Sequence, residues 1–323
     1  MEPGLLPLLN WCVGALAPEA EAAGRWADCY LAVPDRARRA RRMLGELSER
    51  IVASGSPRDF ANELPGVREG LPLEAAYLVF RMVKTNLYVA AAHGAPLVDP
   101  AALEDQNLLL LGAELGLPTF TAALTGKGPA GDLLRRHFPK GRGEASAVVQ
   151  AELVRRVTCL EGQPCAGALR GTLEFLTVAS ATDFANAYYD DMLLSLPELV
   201  DLNQAAARRA VAVIGLVKLV ARADDALAAE EEALLTALRH LVPEQDPAVR
   251  QEAMATMSAA RLPEVLTMAE ERQGLLACMV AMAGADGVLS PEEEQLCRDA
   301  AGLLEISEVD IERTLSNWRG LRM

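Results

Sequence analysis

Apolar residues along the chain recur at spacings of three and four positions, the period of an α-helix that is buried on one face. Runs of β-branched residues bounded by turn residues, which would indicate strands, are hard to find. The pattern predicts an all-α protein, with helices near 5–16, 19–32, 35–53, 57–64, 72–92, 100–115, 130–138, 144–160, 165–180, 183–194, 206–222, 229–241, 247–259, 263–284, 291–304 and 308–318.

Several of these helices have a recognisable start, in which a capping residue precedes proline. Proline is tolerated at the first helical position because its missing N–H would have no partner within the helix. Ser56-Pro57, Asp99-Pro100 and Ser290-Pro291 follow this pattern. Glu293 lies three residues after Ser290, which predicts a capping box at the start of the last helix but one.

The length of 323 residues suits two domains of ordinary size. A proline interrupts the helical pattern at 195–203, just before an internal repeat begins. We therefore expect a helical domain over 1–200 and a second helical domain over 201–323.

The chain carries a formal charge of −14, which divides into −5 for 1–200 and −9 for 201–323. Phosphate recognition needs clustered Lys and Arg, so this balance argues against nucleic-acid binding and favours the attraction of cations. No HExxH or GxSxG sequence indicates a hydrolase. Gly126–Gly131 satisfies GxGxxG, but a helix precedes it where a dinucleotide site needs a strand, so we interpret it as a loop. We expect no catalysis, no organic cofactor and no small-molecule substrate.

The six cysteines include no CxxC pair, and we expect them to be reduced and buried. No secretory signal or convincing membrane-spanning segment is visible, so we expect a cytoplasmic protein.

An internal repeat appears when 221–234 is aligned with 283–296, at an offset of 62 residues, where eight of fourteen positions are identical. Each copy has an apolar helix, an acidic turn and a second helix that begins with glutamates. This is the pattern of two pseudo-repeated helical hairpins. The segment 91–118 has a similar outline, with His93-Gly94 in place of Asp286-Gly287, and without the acids it would be structural.

The repeated acidic turn has two interpretations. In the first, Ser290 and Glu293 only cap a helix, and no metal is needed. In the second, symmetry brings the two turns together, so that a hard divalent cation relieves the repulsion between their carboxylates. The candidate ligands are then Asp224, Asp225, Glu231, Asp286 and Glu293.

The C-terminal pattern is a helix, Ala285-Asp286-Gly287, Leu289 two places after the glycine, a glutamate-led helix and then Gly302–Ser307. It resembles the TerB-like proteins, named for bacterial tellurite resistance, over roughly 205–320. The resemblance implies an all-helical bundle without catalytic activity, a link to stress responses and binding of Ca²⁺, Mg²⁺, Mn²⁺ or Zn²⁺ by acidic residues. It also implies a protein partner, often membrane-associated, which would place the chain at the inner face of the membrane. By position, the turn aspartates of the family fall on Asp224 and Asp286, and its helix-start glutamates on Glu231 and Glu293.

The N-terminal part carries a fainter pattern. From Leu71 to about Asp191, a helix containing Arg81–Val83 leads to a small-residue turn and a Leu-rich helix. This resembles the EcsC-like proteins, which are associated with membrane transport or secretion.

A basic segment lies near the N-terminus, where five arginines fall within two helical turns. They could bind an anionic surface or a partner, or they could be solvated or paired internally. The residues are Arg36, Arg38, Arg39, Arg41 and Arg42.

Together these features predict a non-enzymatic, TerB-like, stress-associated protein that binds a divalent cation and docks a protein partner. The alternative is a helical scaffold or adaptor that needs no metal.

Overall fold

The computed structural model describes residues 4–30, 71–158, 166–191, 194–220, 269–284 and 288–320, together with the single positions 35, 36, 39, 40, 43, 60, 64, 229, 232 and 266. Within these residues every regular element is an α-helix, which confirms the predicted all-α class. The helices are α1 (Leu5–Tyr30), α2 (Leu73–Ala92), α3 (Pro100–Glu114), α4 (Pro118–Leu124), α5 (Ala130–His137), α6 (Arg142–Thr158), α7 (Ala166–Asp191), α8 (Leu196–Val220), α9 (Ala269–Ala283), α10 (Pro291–Leu303) and α11 (Glu308–Gly320).

The chain divides into two compact units. The first unit comprises Met1–Val157 and Thr177–Leu202, and the second comprises Thr158–Leu176 and Asn203–Met323. Among the described helices none is long and apolar enough to cross a lipid bilayer.

Helix α2 forms the centre of the first unit. Sixteen of its twenty residues are buried, so it is covered on all sides rather than along one stripe. Helix α1 packs along it, and α3 contacts both. At the crossing of α1 and α2, a Cβ added to Gly24 would lie 3.2 Å from the Cβ of Ala91, so the two backbones approach closely.

Helix α1 corrects the prediction of two helices at 5–16 and 19–32, because one helix runs through Pro18. An internal proline cannot donate to the carbonyl of Gly14, at a cost of about 3 kcal/mol. Buried residues lie on both sides of the proline, among them Leu16, Ala17 and Ala20. Packing of both halves against the same core offsets this cost.

Two other boundaries also differ from the prediction. Helix α7 is a single helix where two were predicted, at 165–180 and 183–194. The two residues at the expected break, Ala181 and Thr182, are neither proline nor glycine, so nothing there interrupts the helix. Helix α8 begins at Leu196 rather than near 206. Ser195 and Glu198 bind each other there, since the Ser195 N–H donates to Glu198 Oε2 over 2.7 Å and the Glu198 N–H donates to Ser195 Oγ over 3.4 Å. Pro197 therefore lies in the first turn of a helix and does not interrupt one.

The short helix α4 was not predicted. It starts with proline at its first position, and Phe120, Ala123 and Leu124 are buried at helical spacing. It packs with α5 against α3, so the Gly- and Pro-rich segment around 126–143 contains an ordered helix between two turns. A helix precedes Gly126–Gly131, as expected.

Most other helices match the prediction within a few residues, including α2, α3, α5, α6, α10 and α11. Helix α9 lies inside the predicted 263–284. The predicted helices at 35–53, 57–64, 229–241 and 247–259 lie outside the continuously described residues.

The cysteines are free where they are described, as expected, and Cys12, Cys278 and Cys297 are buried. The expectation of burial is wrong for Cys29, which is exposed on the solvent side of the last turn of α1. Cys159 and Cys165 lie outside the described residues.

Candidate functional site

The second acidic turn lies between α9 and α10. Helix α9 ends where the Gly284 N–H donates to the carbonyl of Val280 over 3.1 Å. Asp286 and the expected turn glycine Gly287 lie outside the described residues. Val288, the next described residue, is exposed. The turn then enters α10 through Ser290 and Pro291.

The entry into α10 is the predicted capping box. Ser290 is the N-cap, and its Oγ accepts the Glu293 N–H over 3.2 Å. Glu293 Oε2 accepts the Ser290 N–H over 2.9 Å. The pair thus satisfies two backbone donors that a helix start leaves without partners. Glu293 is only 5% exposed, so its carboxylate is fixed by the cap and largely removed from solvent.

Glu294, the next residue of α10, takes part in an ion-pair network. Arg298 Nη2 lies 2.8 Å from Glu294 Oε1, and Arg319 Nη2 lies 2.7 Å from Glu294 Oε2. Hydrogen bonding to Arg298 lowers the pKa of the Glu294 carboxyl below its usual value, and Arg319 adds to the effect. Arg298 also contacts Glu308 and Glu312 of α11, at 2.7 and 2.6 Å. One arginine therefore neutralises acids from both helices.

A second arginine joins α9 to the turn between α10 and α11. Arg272 donates to the carbonyls of Leu266 and Leu304, and its Nη1 lies 2.8 Å from Glu305 Oε2. Glu305 has a φ of +56°, in the left-handed region that favours glycine. Its N–H donates to the carbonyl of Gly302, and the Ile306 N–H donates to that of Ala301. This is a Schellman ending of α10, with glutamate where glycine is usual.

The five candidate metal ligands are described to different extents. Glu293 lies in the capping box, whereas Asp224, Asp225, Glu231 and Asp286 all lie outside the described residues. Within the described part of the chain, no group of three or more His, Cys, Asp or Glu side chains is arranged to hold a metal ion. The metal site predicted from the repeat therefore stays a prediction.

The five candidate arginines are also only partly described. Arg36 is exposed. Arg39 forms an ion pair with Asp28 of α1 and donates to the carbonyl of Gly24 over 3.3 Å. Arg38, Arg41 and Arg42 lie outside the described residues.

The arginines that organise α9–α11 were missed in the sequence. Arg298 lies four residues after Glu294, a spacing that places the two side chains on one helix face. That local signal could have indicated this pair. Nothing comparable indicated Arg272, whose acceptors at Leu304 and Glu305 lie more than thirty residues away.

The turn between α2 and α3 has the same outline but different chemistry. Gly94, with a φ of +74°, ends α2. Asp99 caps α3 by accepting the N–H groups of Ala101 and Ala102 at 3.1 and 3.2 Å, and Pro100 follows it. His93 Nε2 lies 3.1 Å from Asn186 Oδ1, so the histidine docks the turn on α7.

Comparison with known families gives a match in the C-terminal region. Residues 210–315 match the family model described as tellurite resistance protein TerB. This TerB match supports the resemblance seen over roughly 205–320, and it includes all five candidate metal ligands. The EcsC-like resemblance of the N-terminal part is not supported. No curated protein and no solved structure gives a significant match to the chain.

Proposed function

We propose that this chain is a non-enzymatic, TerB-like protein that binds a divalent cation at its two acidic turns and docks a protein partner. The observation that carries the proposal is the TerB match at 210–315, which spans both copies of the repeat. Each copy has an aspartate in the turn and three glutamates at the start of the following helix. Oxygen ligands grouped in this way suit hard cations such as Ca²⁺ and Mg²⁺.

The proposed ligands are Asp224, Asp225, Glu231 and Asp286, and Glu293 is a fifth, weaker ligand. Glu293 has the smaller role because its carboxylate already accepts the Ser290 N–H. Glu231 occupies the equivalent position in the first copy, where Ala228 replaces the capping serine. Without a hydroxyl partner for a capping box, Glu231 is better suited to bind a cation.

Cation binding would act on the protein through carboxylate repulsion. Acids brought together by the pseudo-repeat destabilise the arrangement in which they are closest, and a bound cation removes that repulsion. The cation therefore shifts the turns towards their ordered arrangement, because it binds that arrangement more tightly than the disordered one. A partner that recognises the ordered arrangement would bind in response to the cation.

The basic segment at 36–42 is the proposed partner surface of the first unit. Arg36 is exposed, and Arg39 contributes less because it is paired with Asp28. An acidic protein surface, including that of a membrane-associated protein, has the complementary charge.

The test is a thermal melt of chelator-treated protein, titrated separately with Ca²⁺, Mg²⁺, Mn²⁺ and Zn²⁺. We expect one cation to raise the melting temperature of the parent, because a ligand stabilises the state that binds it. The double variant Asp224→Asn/Asp286→Asn should lose this rise. The matched control is Asp201→Asn/Asp299→Asn, which removes the same charge from two exposed positions outside the turns and should keep it.

A specific observation favours a second function, that of a scaffold or adaptor without metal. The Ser290–Glu293 capping box accounts for the second turn through helix geometry alone. If no cation changes the melting temperature, and a partner stays bound in chelator and to the Asp224→Asn/Asp286→Asn variant, this second function replaces the first.

A further inference from the structure

Two polar side chains without hydrogen-bond partners lie next to each other in the interior of the first unit. Asn86 of α2 is fully buried, and among the described residues neither its Nδ2 nor its Oδ1 has a hydrogen-bond partner in standard geometry. Glu114, the last residue of α3, is 6% exposed, and within the described part of the chain neither carboxylate oxygen has a hydrogen-bond partner in standard geometry. The Asn86 amide nevertheless lies within hydrogen-bonding range of Glu114, and this contact favours the charged form of the carboxyl. Unsatisfied buried polar atoms are costly, so four in one place need an explanation.

A charged carboxylate is poorly accommodated here. Glu114 lies at the C-terminal end of its helix, where the helix dipole disfavours negative charge. Burial is the largest influence on the pKa of Glu114, and among the described side chains no positive one acts against it.

The titratable and charged side chains on the surrounding helices are directed elsewhere or are neutral. Tyr189 of α7 is near enough to Glu114 to be affected by it, but it is a neutral phenol whose hydroxyl donates to Gln106 Oε1 over 3.4 Å. Burial raises the pKa of Tyr189, and Tyr188 and Glu114 add to the effect. Arg156 of α6 binds Glu152 and the carbonyl of Leu115. Glu19 of α1 and Arg81 of α2 both act on Lys84, and Lys84 lies over the Tyr88 ring. Other described groups on these helices contact one another: Glu104 and Asp105 lie beside Arg142, Asp190 lies beside His93, and Tyr188 packs against Tyr189.

We propose that Glu114 is a proton-binding site, and that its neutral carboxylic acid pairs with the Asn86 amide in the folded protein. The acid O–H donates to Asn86 Oδ1, and Asn86 Nδ2 donates to the acid carbonyl. The two reciprocal hydrogen bonds give all four atoms a partner, and the pair carries no charge. A divalent cation would not be satisfied here, because Ca²⁺ takes six to eight oxygen ligands and the pair offers three.

Proton binding links the stability of the first unit to pH. Burial raises the pKa of Glu114 from 4.5 to about 8. Below pH 4.5 the carboxyl is protonated in the folded and the unfolded chain alike, so it makes no contribution to the pH dependence of stability there. Between pH 4.5 and pH 8 the unfolded chain loses the proton while the folded chain keeps it, so stability falls as pH rises. Above pH 8 the folded chain also loses the proton, and the fall ends.

The experiment is urea unfolding of the full chain, followed by tryptophan fluorescence from pH 5 to pH 8. In a Trp318→Phe background the remaining tryptophans, Trp11 and Trp26, both lie in α1 and report on the first unit. The folding equilibrium constant should fall on the order of 10²-fold over this range. Glu114→Gln should remove that fall, because an amide does not titrate and can still pair with Asn86. Glu144→Gln is the matched control and should keep it, since Glu144 is only partly buried and caps the Lys140 N–H.

Two results would overturn the proposal. One is a Glu114→Gln variant with the same pH dependence as the parent. The other is a melting temperature that rises with K⁺, Mg²⁺ or Ca²⁺ at pH 8 in the parent but not in Glu114→Gln, which would make the pair a metal site.

A second measurement needs no variant. In the parent labelled with ¹³C-glutamate, one carboxyl resonance should titrate with a midpoint near pH 8. Titration of every glutamate below pH 6 would refute the proposal even if Glu114→Gln fails to fold.

Discussion

Helices α2–α3 and helices α10–α11 accommodate ionisable side chains in opposite ways. Lys84 and Glu114 are 4% and 6% exposed and lie in the interior of the first unit. In α10–α11, Arg298 joins Glu294, Glu308 and Glu312 near the surface. Removing a charge from water costs several kcal/mol, whereas an exposed ion pair contributes at most about 1 kcal/mol. We therefore expect pH to control the stability of helices α2–α3, and ionic strength to have a modest effect on the stability of helices α10–α11.

The largest difference should come from two helical glycines. A Cβ at Gly112 of α3 would overlap the ring of Phe120, whereas a Cβ at Gly302 of α10 would meet no atom of the described residues within 4 Å. Gly112→Ala should lower the free energy of unfolding by about 2 kcal/mol, because overpacking exceeds the gain in helix propensity. Gly302→Ala should raise it by about 0.5–1 kcal/mol. Urea unfolding measures both, and a stabilising Gly112→Ala would show that Phe120 moves aside at little cost.

Lys84 should give the first unit a second pH dependence, opposite in sign to that of Glu114. Burial, reinforced by Arg81, lowers the pKa of Lys84 from 10.5 to about 8. Between these values the unfolded chain holds a proton that the folded chain has released, so stability rises with pH. Stability should therefore be lowest near pH 8, where the Glu114 effect ends. Lys84→Met should remove the rise between pH 8 and about pH 10, about 2 kcal/mol, in urea unfolding. The exposed Lys127→Met should keep it.

The caps provide a third comparison. Ser290→Ala removes one side of the capping box and should cost about 1 kcal/mol. Asp99→Ala should cost about the same at the start of α3, where the side chain accepts two backbone N–H groups. Hydrogen exchange of the first-turn amides in α10 and α3 measures each effect locally. Unchanged exchange in Ser290→Ala would mean that Pro291 and packing alone fix the start of α10.

The ion pairs of Arg298 should have the smallest effect. Arg298→Ala should lower the free energy of unfolding by less than about 1 kcal/mol, and the loss should shrink at high salt because the side chain is partly hydrated. Urea unfolding of parent and variant at low and high salt tests this. A salt-independent loss would indicate that Arg298 acts through packing of its aliphatic stem instead.

Features that depend on neighbouring residues could be predicted from the sequence. The capping box of Ser290 and Glu293 and the Asp99–Pro100 start follow from side chains that bind backbone groups within the same turn. The apolar period located most helices for the same reason. Short-range hydrogen bonds and one-sided burial depend only on residues that are close in sequence, so the sequence pattern is enough to predict them.

Features that depend on tertiary packing could not be predicted. The continuity of α1 through Pro18 requires burial on both sides of the proline. The pairing of Arg272 with Glu305 joins positions 33 residues apart. The burial of Glu114 follows from the position of α3 against α2, and its sequence neighbours do not distinguish it from a surface glutamate. For the candidate metal site, the sequence predicts the ligands, and the structure describes Glu293 among them.

The exposed Cys29 offers a practical route to these measurements. A maleimide dye should react at Cys29 in the native protein, because burial shields Cys12, Cys278 and Cys297. With Cys159 and Cys165 replaced by serine, the label would be confined to the end of α1. Its emission would then follow the first unit at single-molecule concentrations, where intrinsic tryptophan fluorescence is too weak to detect.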